Sequence, residues 1–298
     1  MSGEPANRNA LGAVLLSTSW IFFTTEMIAV RLLSDDLSIA QIAVFRQGTQ
    51  VVIFIPILVV MGSRLLRTER LKLHVLRGFC SMGGMVLFYL AFALLPVALA
   101  TTLTFTQAMF LTVLAVVLLG ERVGLRRTMA VAVGLVGVII VMRPGVGDFS
   151  PASLIALAGA FVAALLFIVT RQLSATDSRL TIMMYSALFG LVVVLVPALF
   201  DWRPIRPEHW WLLGLVGLCG TFGQFLMVGA LQLSEASALA PVDYVRLVFA
   251  IIGGYIVFGE IPSMWTWIGA IVIVASAIYT THRERQIART QTLERRAS

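Results

Sequence analysis

Charged residues are scarce in this sequence. They make up 12% of its 298 residues, whereas soluble domains carry about 25%, and hydrophobic residues make up 59%. Such a chain has too little polar surface to cover a globule in water, which excludes an ordinary soluble protein. Lipid offers no partner to a free backbone group, so only helices or a closed barrel can cross it. Apolar runs of about 20 residues without alternation favour helices.

Cysteines, histidines and nucleotide-binding motifs are also few or absent. The two cysteines, Cys80 and Cys219, lie in apolar runs and are expected to be small packing residues rather than a disulfide. His74, His209 and His282 lie at predicted membrane interfaces or in the tail, without clustered acids. The sequence therefore predicts no catalytic residue, no metal site and no cofactor, which argues against an enzyme. The lack of a P-loop excludes an ATP-driven pump.

Ten apolar segments are present and predict ten transmembrane helices. They cover residues 10–30, 39–61, 75–95, 97–119, 128–142, 150–173, 180–200, 210–233, 236–258 and 262–281. Residues 1–7 are polar without a basic residue, and no convincing cleavage site follows the first segment, so it is interpreted as a permanent helix rather than a signal peptide. Residues 283–298 form a polar, basic tail.

Basic residues give the predicted orientation. With both termini inside the cell, sixteen Lys and Arg residues fall on the cytoplasmic side and four outside, while Arg46 and Arg246 lie within spans. This bias predicts a multi-pass inner-membrane protein with both termini in the cytoplasm. The net charge of +7 reflects this orientation rather than a nucleic-acid partner. The basic stretch 64–77 can also contact anionic lipid.

The two halves of the chain resemble each other. A shift of 139 positions places residues 78–139 on residues 217–278 and aligns Cys80, Gly120 and Glu121 with Cys219, Gly259 and Glu260. Because each half holds five helices, an odd number, the second half must insert upside down. The predicted fold class is an all-α membrane protein of two inverted five-helix repeats, residues 1–148 and 149–282. Its binding site is expected near the midplane between them.

Two segments carry a family resemblance. Residues 103–110 (LTFTQAMF) run into LLGER at 118–122, and APVDY at 240–244 leads to FGEIP at 258–262. They resemble the fourth and ninth helices of the drug/metabolite transporter superfamily, specifically the EamA family, and the resemblance covers nearly the whole chain. It implies ten helices, alternating access and a cavity lined mainly by helices 1, 3, 4, 6, 8 and 9. Ala108 stands where many relatives have a proline, whereas Pro241 can interrupt the ninth helix.

The resemblance also implies a function. It indicates a secondary transporter of a small polar metabolite, and the ninth helix is most similar to a branch containing riboflavin and S-adenosylmethionine carriers. An amino-acid or metabolite exporter of the same superfamily is the alternative, and a non-transporting membrane scaffold is an alternative of another class. The implied partners are a small-molecule substrate and lipid, with a coupling proton as a further candidate. Both a monomer and a homodimer stay open.

Four ionisable residues within the spans are the main candidates for function, because each costs about 2.5–3.5 kcal/mol to insert. Glu26 and Arg46 reach similar depth in the first hairpin and are predicted to form a structural or coupling charge pair. Asp243 and Arg246 are i, i+3 neighbours near the midplane and offer a substrate both an acceptor and a fork-shaped donor. Two alternatives are a coupling proton on Asp243 and a self-satisfied packing pair.

Four further residues complete the predicted substrate site. Tyr244 lies between the two charges of the ninth helix, and Trp20 lies in the middle of the first span, away from the usual interfacial belt. Trp20 can stack on a flat substrate or pack against helices. Gln107 and Gln224 can donate hydrogen bonds to a ligand or bridge helices.

Several other residues are given structural roles. Tyr89 and Phe105 are expected to pack between helices. Glu121 and Glu260 end helices on opposite faces and are interpreted as symmetric locks. Close helix contacts are expected at the glycines at 83, 84, 134, 137, 253 and 254.

Overall fold

The computed structural model describes residues 5–62, 66–119, 125–143, 150–174, 176–233, 242, 244–276 and 279, and these residues are helical or lie in connections. The helices are α1 (Pro5–Leu33), α2 (Ile39–Met61), α3 (Leu71–Leu94), α4 (Val97–Thr104), α5 (Gln107–Leu119), α6 (Leu125–Met142), α7 (Ala152–Ser174), α8 (Arg179–Phe200), α9 (His209–Leu233), α10 (Val245–Phe258) and α11 (Met264–Ser276). Within these ranges no strand occurs, which confirms the predicted all-helical class.

Seven stretches of the described chain are long and apolar enough to cross a membrane. They lie in α1, α2, α3, the α4–α5 pair, α7, α8 and α9. Shorter apolar stretches of 10–17 residues occupy Val131–Met142, Val245–Phe258 and Met264–Ser276. The helices overlap the ten predicted apolar segments, and the fourth segment contains two helices, α4 and α5.

The same capping residue begins the equivalent helices α2 and α8 in the two halves. Ser38 caps α2 by accepting a hydrogen bond from the Gln41 N–H, and Ser178 caps α8 by accepting one from the Thr181 N–H, both at 3.2 Å. Serine at this position satisfies a backbone donor that the helix itself leaves free. α2 and α8 also each contain one proline near the C-terminal end. The sequence repeat is therefore also a repeat of helix starts.

The fourth predicted helix is broken although it lacks a proline. α4 ends at Thr104, Phe105 and Thr106 form a turn, and α5 begins at Gln107. Three threonine hydroxyls donate to carbonyls three or four residues earlier: Thr102 to Ala98 at 2.8 Å, Thr104 to Thr101 at 2.7 Å and Thr106 to Leu103 at 2.7 Å. Such bonds compete with the backbone ladder and bend helices. Pro241, the predicted break in the ninth helix, lies outside the described residues.

The halves interlock through equivalent helix pairs. α1 of the first half packs against α9 of the second, and α3 packs against α7, while α2 and α8 pack against each other. α6 and α11 meet through small residues: a Cβ at Gly134 would lie 2.9 Å from Ser276 Oγ, and one at Gly137 would lie 2.9 Å from Ile273 Cγ1. The shift of 139 places position 134 on position 273 and position 137 on position 276. The two contacts are therefore equivalent under the internal repeat.

The glycines do not all fill the predicted role. A Cβ at Gly253 would lie 2.7 Å from Ile28 Cδ1, so close packing holds there, as at Gly134 and Gly137. The prediction was wrong for Gly83, where a Cβ would meet no atom within 4 Å. The reason is that apolar glycines in a membrane helix can face lipid as well as another helix, and the sequence does not separate the two.

Replacing Gly137 with valine should lower the free energy of unfolding by about 1–3 kcal/mol, because the added atoms collide with Ile273 and Val272. Gly83→Val is the matched control, since a Cβ at this position meets no atom within 4 Å. Thermal unfolding of both purified variants in detergent measures the difference. Equal melting temperatures would contradict close packing of α6 on α11.

Candidate functional site

A buried charge pair joins α1 and α2. The Arg46 Nε donates a hydrogen bond to Glu26 Oε1 at 3.2 Å, and the two residues are only 8% and 1% exposed. The Tyr89 hydroxyl, from α3, donates to the same carboxylate oxygen. The structure thus brings together Glu26 and Arg46, whose similar depth in the first hairpin predicted this contact. It also adds a phenol that sequence reasoning had assigned to packing.

The guanidinium of Arg46 contacts acceptors from its own helix and from the second half of the chain. Its Nη1 donates to Gln47 Oε1 at 3.1 Å and to Gln50 Oε1 at 3.0 Å. Its Nη2 donates to the Gly220 carbonyl at 3.4 Å and to Gln224 Oε1 at 3.3 Å. Gln224, a predicted substrate residue, therefore contacts Arg46 and links α9 to α2.

Gln47 extends this network to α8. Its side-chain amide donates to the carbonyls of Ser186 and Ala187, at 3.0 Å and 3.4 Å. The polar cluster around Arg46 therefore touches α1, α2, α3, α8 and α9, and it connects both halves of the chain. The sequence signal for Gln50 was its position four residues after Arg46, which places both on one helix face. No such signal exists for Gln47, because adjacent residues on a helix do not share a face.

A second cluster surrounds Arg246 of α10. Its guanidinium carbon lies 5.0 Å from the centre of the Trp20 ring and 4.0 Å from the centre of the Phe105 ring. The Tyr244 ring lies 5.2 Å from that of Phe105, centre to centre. The structure thus gathers Trp20, Tyr244 and Arg246, three of the predicted substrate residues, and adds Phe105, which was expected only to pack. We call these four residues the aromatic–arginine cluster.

The remaining predicted substrate residues have different positions. Gln107 begins α5, two residues after Phe105, and is half-buried. Asp243 lies outside the described residues, so its pairing with Arg246 stays a prediction.

Three buried polar atoms on α1, α2 and α9 lack a hydrogen-bond partner among the described residues. They are Trp20 Nε1, Gln50 Nε2 and Thr221 Oγ1. Each can donate a hydrogen bond, and each unpaired group costs about 1–3 kcal/mol when buried. Gln50 already contacts Arg46 through its oxygen, and Thr221 follows Gly220, whose carbonyl also contacts Arg46. Buried polar groups without a partner are few in folded proteins, so these three donors are candidates for contact with a bound molecule.

The Gly-Glu segment that carries the family resemblance ends α10. Gly259 adopts the left-handed conformation at φ +66° and closes the helix, which aims Glu260 back at its neighbours. Glu260 accepts hydrogen bonds from Arg31 and, at 2.8 Å, from the Val97 N–H. It therefore ties α1 and α4 to α10, in agreement with the predicted lock. Glu121, its counterpart, lies outside the described residues.

Titratable side chains elsewhere give little sign of metal chemistry. In the part of the chain that the structure covers, no three His, Cys, Asp or Glu side chains come together as a metal site. Cys80 and Cys219 are free thiols.

Comparison with known proteins assigns the family. The EamA-like transporter family matches the chain twice, over residues 10–143 and again over residues 150–281. The chain belongs to the EamA family. The resemblance seen in the Gly-Glu segments is therefore confirmed, and this EamA protein is a multi-pass membrane transporter of small metabolites rather than an enzyme.

Named relatives cover most of this EamA chain. It is 30% identical over 246 residues to an S-adenosylmethionine uptake transporter of Rickettsia prowazekii, covering 83% of this chain and 84% of the relative. It is 31% identical over 257 residues to a riboflavin transporter of Vibrio cholerae, covering 83% and 86%. A solved crystal structure with a TM-score of 0.62 and 15% identity covers 90% of this chain and 96% of that one, so the two share a fold.

Proposed function

We propose that this EamA transporter moves a metabolite with a planar nitrogen heterocycle, such as S-adenosylmethionine or riboflavin, by alternating access. The aromatic–arginine cluster is the proposed binding site. The observation that carries this proposal is the Arg246 guanidinium held between the rings of Trp20 and Phe105. The names of the relatives, which include S-adenosylmethionine and riboflavin transporters, support the same class of substrate.

The chemistry of the cluster favours a flat substrate over a simple amino acid. Aromatic faces stack on fused rings, and the guanidinium donates paired hydrogen bonds to a carboxylate or to ring carbonyls. The unpaired Nε1 donor of Trp20, the cluster residue on α1, suits an acceptor atom of a purine or a flavin. An aliphatic amino acid would use the guanidinium but would leave the rings without a partner.

The proposed architecture is ten membrane passages in the inner membrane, with both termini and the connection around residues 64–77 in the cytoplasm. The distribution of basic residues supports it. Reporter fusions after Lys72 and after Ser298 should both give a cytoplasmic signal. A periplasmic signal from either fusion would reject this orientation.

Binding measurements with a panel of compounds test the proposed substrate. We expect S-adenosylmethionine or riboflavin to raise the melting temperature of the purified protein, and leucine and arginine to leave it unchanged. A ligand at 100 times its Kd stabilises by about 2.7 kcal/mol. Trp20→Ala should remove the shift, whereas Trp265→Ala should keep it. Trp265 is the matched control because its ring contacts Arg143 at the same 5.0 Å, outside the proposed site. Stabilisation by leucine alone would favour the amino-acid exporter instead.

A further inference from the structure

A histidine and an aspartate meet where α3 begins. His74 is fully buried, and its Nε2 lies 2.6 Å from Asp177 Oδ2, in the connection between α7 and α8. The Thr68 hydroxyl donates to the same oxygen at 2.6 Å. The ring of Tyr185, on α8, lies 4.4 Å from that of His74, centre to centre. His74 Nδ1 is buried without a hydrogen-bond partner among the described residues.

A second histidine and aspartate meet where α9 begins. His209 is 4% exposed, and its Nε2 lies 3.2 Å from Asp36 Oδ2, in the connection between α1 and α2. Arg206 forms a salt bridge to Asp36 and donates its backbone N–H to His209 Nδ1 at 3.3 Å. Both imidazole nitrogens are therefore used, with Nδ1 accepting and Nε2 donating to the carboxylate.

The two contacts are related by the internal repeat. α3 and α9 are equivalent helices, and the connections that hold Asp36 and Asp177 are equivalent too, since each leads into a capping serine, Ser38 or Ser178. Each contact joins one residue of each half. The histidines themselves lie about one helical turn apart in the repeat alignment, which pairs His209 with position 70. The His–Asp contact therefore recurs in both halves, although the two histidines do not occupy equivalent positions.

We propose that the two His–Asp contacts are latches, one for each membrane face. Opening toward the cytoplasm separates His74 from Asp177, and opening toward the outside separates His209 from Asp36. This inference rests on the proposed alternating access and inverted topology, which place the two contacts at opposite faces. Both contacts are formed in this structure.

At each face a single carboxylate, Asp177 or Asp36, accepts more than one hydrogen bond or ion pair. Removing that carboxylate therefore breaks several contacts at once. Burial alone would raise the pKa of Asp177, but hydrogen bonds from Thr68, His74 and Thr176 lower it below its ordinary value. The group is therefore ionised at neutral pH, and its hydrogen bonds are strengthened by charge. The Asp177 side chain is 5% exposed and that of Asp36 is 44% exposed, so solvent weakens the outer latch more than the inner one.

Side-specific thiol labelling tests the latches without any substrate. The probe is Thr221→Cys, a nearly isosteric change at a buried position beside Gly220, with both native cysteines replaced by serine. A membrane-impermeant maleimide is added to right-side-out or inside-out vesicles. Asp36→Asn should raise the labelling rate from the outside about tenfold, the effect of losing a charge-assisted hydrogen bond. Asp177→Asn should raise the rate from the inside by more.

Matched controls exclude a general effect of lost charge. Asp201→Asn removes an exposed acid of the outer connection, and Glu69→Gln removes one of the inner connection. Neither should change labelling from either side. His209→Gln and His74→Gln should each reproduce the one-sided effect of its own partner, and the His–Asp double variant on one face should add little.

Two results would overturn the latches. One is labelling that rises equally from both sides, which indicates a loosened fold, and the other is labelling that stays unchanged in the aspartate and histidine variants. Because the readout is the accessibility of one cysteine, a wrong substrate assignment leaves this result valid. A failure here in turn leaves the binding measurements untouched.

Discussion

Replacing Arg246 with alanine should abolish substrate binding while leaving folded protein in the membrane. The guanidinium lies between the Trp20 and Phe105 rings, and in the proposed site it binds a carboxylate or ring carbonyl of the substrate. Truncating a desolvated charged partner leaves the substrate group unpaired, so the affinity should fall by about 10²-fold or more. Equilibrium binding of S-adenosylmethionine and of riboflavin measures the loss, and size-exclusion chromatography checks the fold.

Two companion variants separate charge from geometry. Arg246→Lys should recover little binding, because an ammonium group cannot form the planar two-pronged contact. Arg143→Ala should bind like the wild type, since Arg143 contacts Trp265 outside the proposed site. Wild-type affinity in Arg246→Ala would reject the aromatic–arginine cluster as the binding site.

Asp243→Asn distinguishes the two roles proposed for this residue. If Asp243 contacts the substrate, binding should weaken at every pH. If it carries a coupling proton, the variant should bind well and retain exchange but lose uptake driven by a pH gradient. Binding and both modes of flux in liposomes, measured on one preparation, decide between them.

Breaking the Glu26–Arg46 pair should cost about 3–5 kcal/mol of unfolding free energy in either single variant, Glu26→Gln or Arg46→Gln. Each change leaves one buried charge without its counter-ion, since the other groups around Arg46 are neutral amides and a carbonyl. The double variant should recover part of the loss. Melting temperatures of the three variants measure the coupling, and fully additive losses would contradict the pairing.

The Asp201–Arg203 pair provides the control for this cycle. Its two side chains are 60% and 44% exposed, with a separation of 3.5 Å between Arg203 Nε and Asp201 Oδ1. Exposed pairs contribute about 0–1 kcal/mol, so Asp201→Asn should leave the melting temperature nearly unchanged. Tyr89→Phe should give a smaller loss than Glu26→Gln, because it removes one donor and leaves both charges paired.

Depth along a helix was enough to predict some contacts from the sequence. Glu26 and Arg46 lie in adjacent spans joined by a short connection, so counting residues from that connection gives their relative height. Counting residues in the first hairpin cannot identify Tyr89 as a partner of Glu26, because Tyr89 lies on the next helix, α3. Which face of α3 points at the hairpin depends on how the helices pack. The spacing of residues within a helix shows which side chains share a face. Which neighbouring helix that face contacts is determined only when the helices pack together.

The break between α4 and α5 shows a second limit. A proline would have marked it in the sequence, but the structure breaks at Phe105 and Thr106 with an alanine at position 108. Threonines are common in membrane helices, so their bonds to the backbone do not reveal which turn will open. Phe105, at this break, is buried in the core, which confirms its predicted packing role. Its contact with Arg246 was not predicted, because the position of the break was not visible in the sequence.

The order of synthesis gives the Arg46 network a further consequence. Three of its acceptors, on Glu26, Gln47 and Gln50, lie within 20 residues of Arg46, whereas Gly220 and Gln224 follow it by 174 and 178 residues. At a synthesis rate of about 5–20 residues per second, the second group emerges from the ribosome roughly 10–35 s after the first. The first hairpin can therefore enter the bilayer with Glu26 and Arg46 already paired. It needs no other protein to neutralise these charges while the rest of the chain is made.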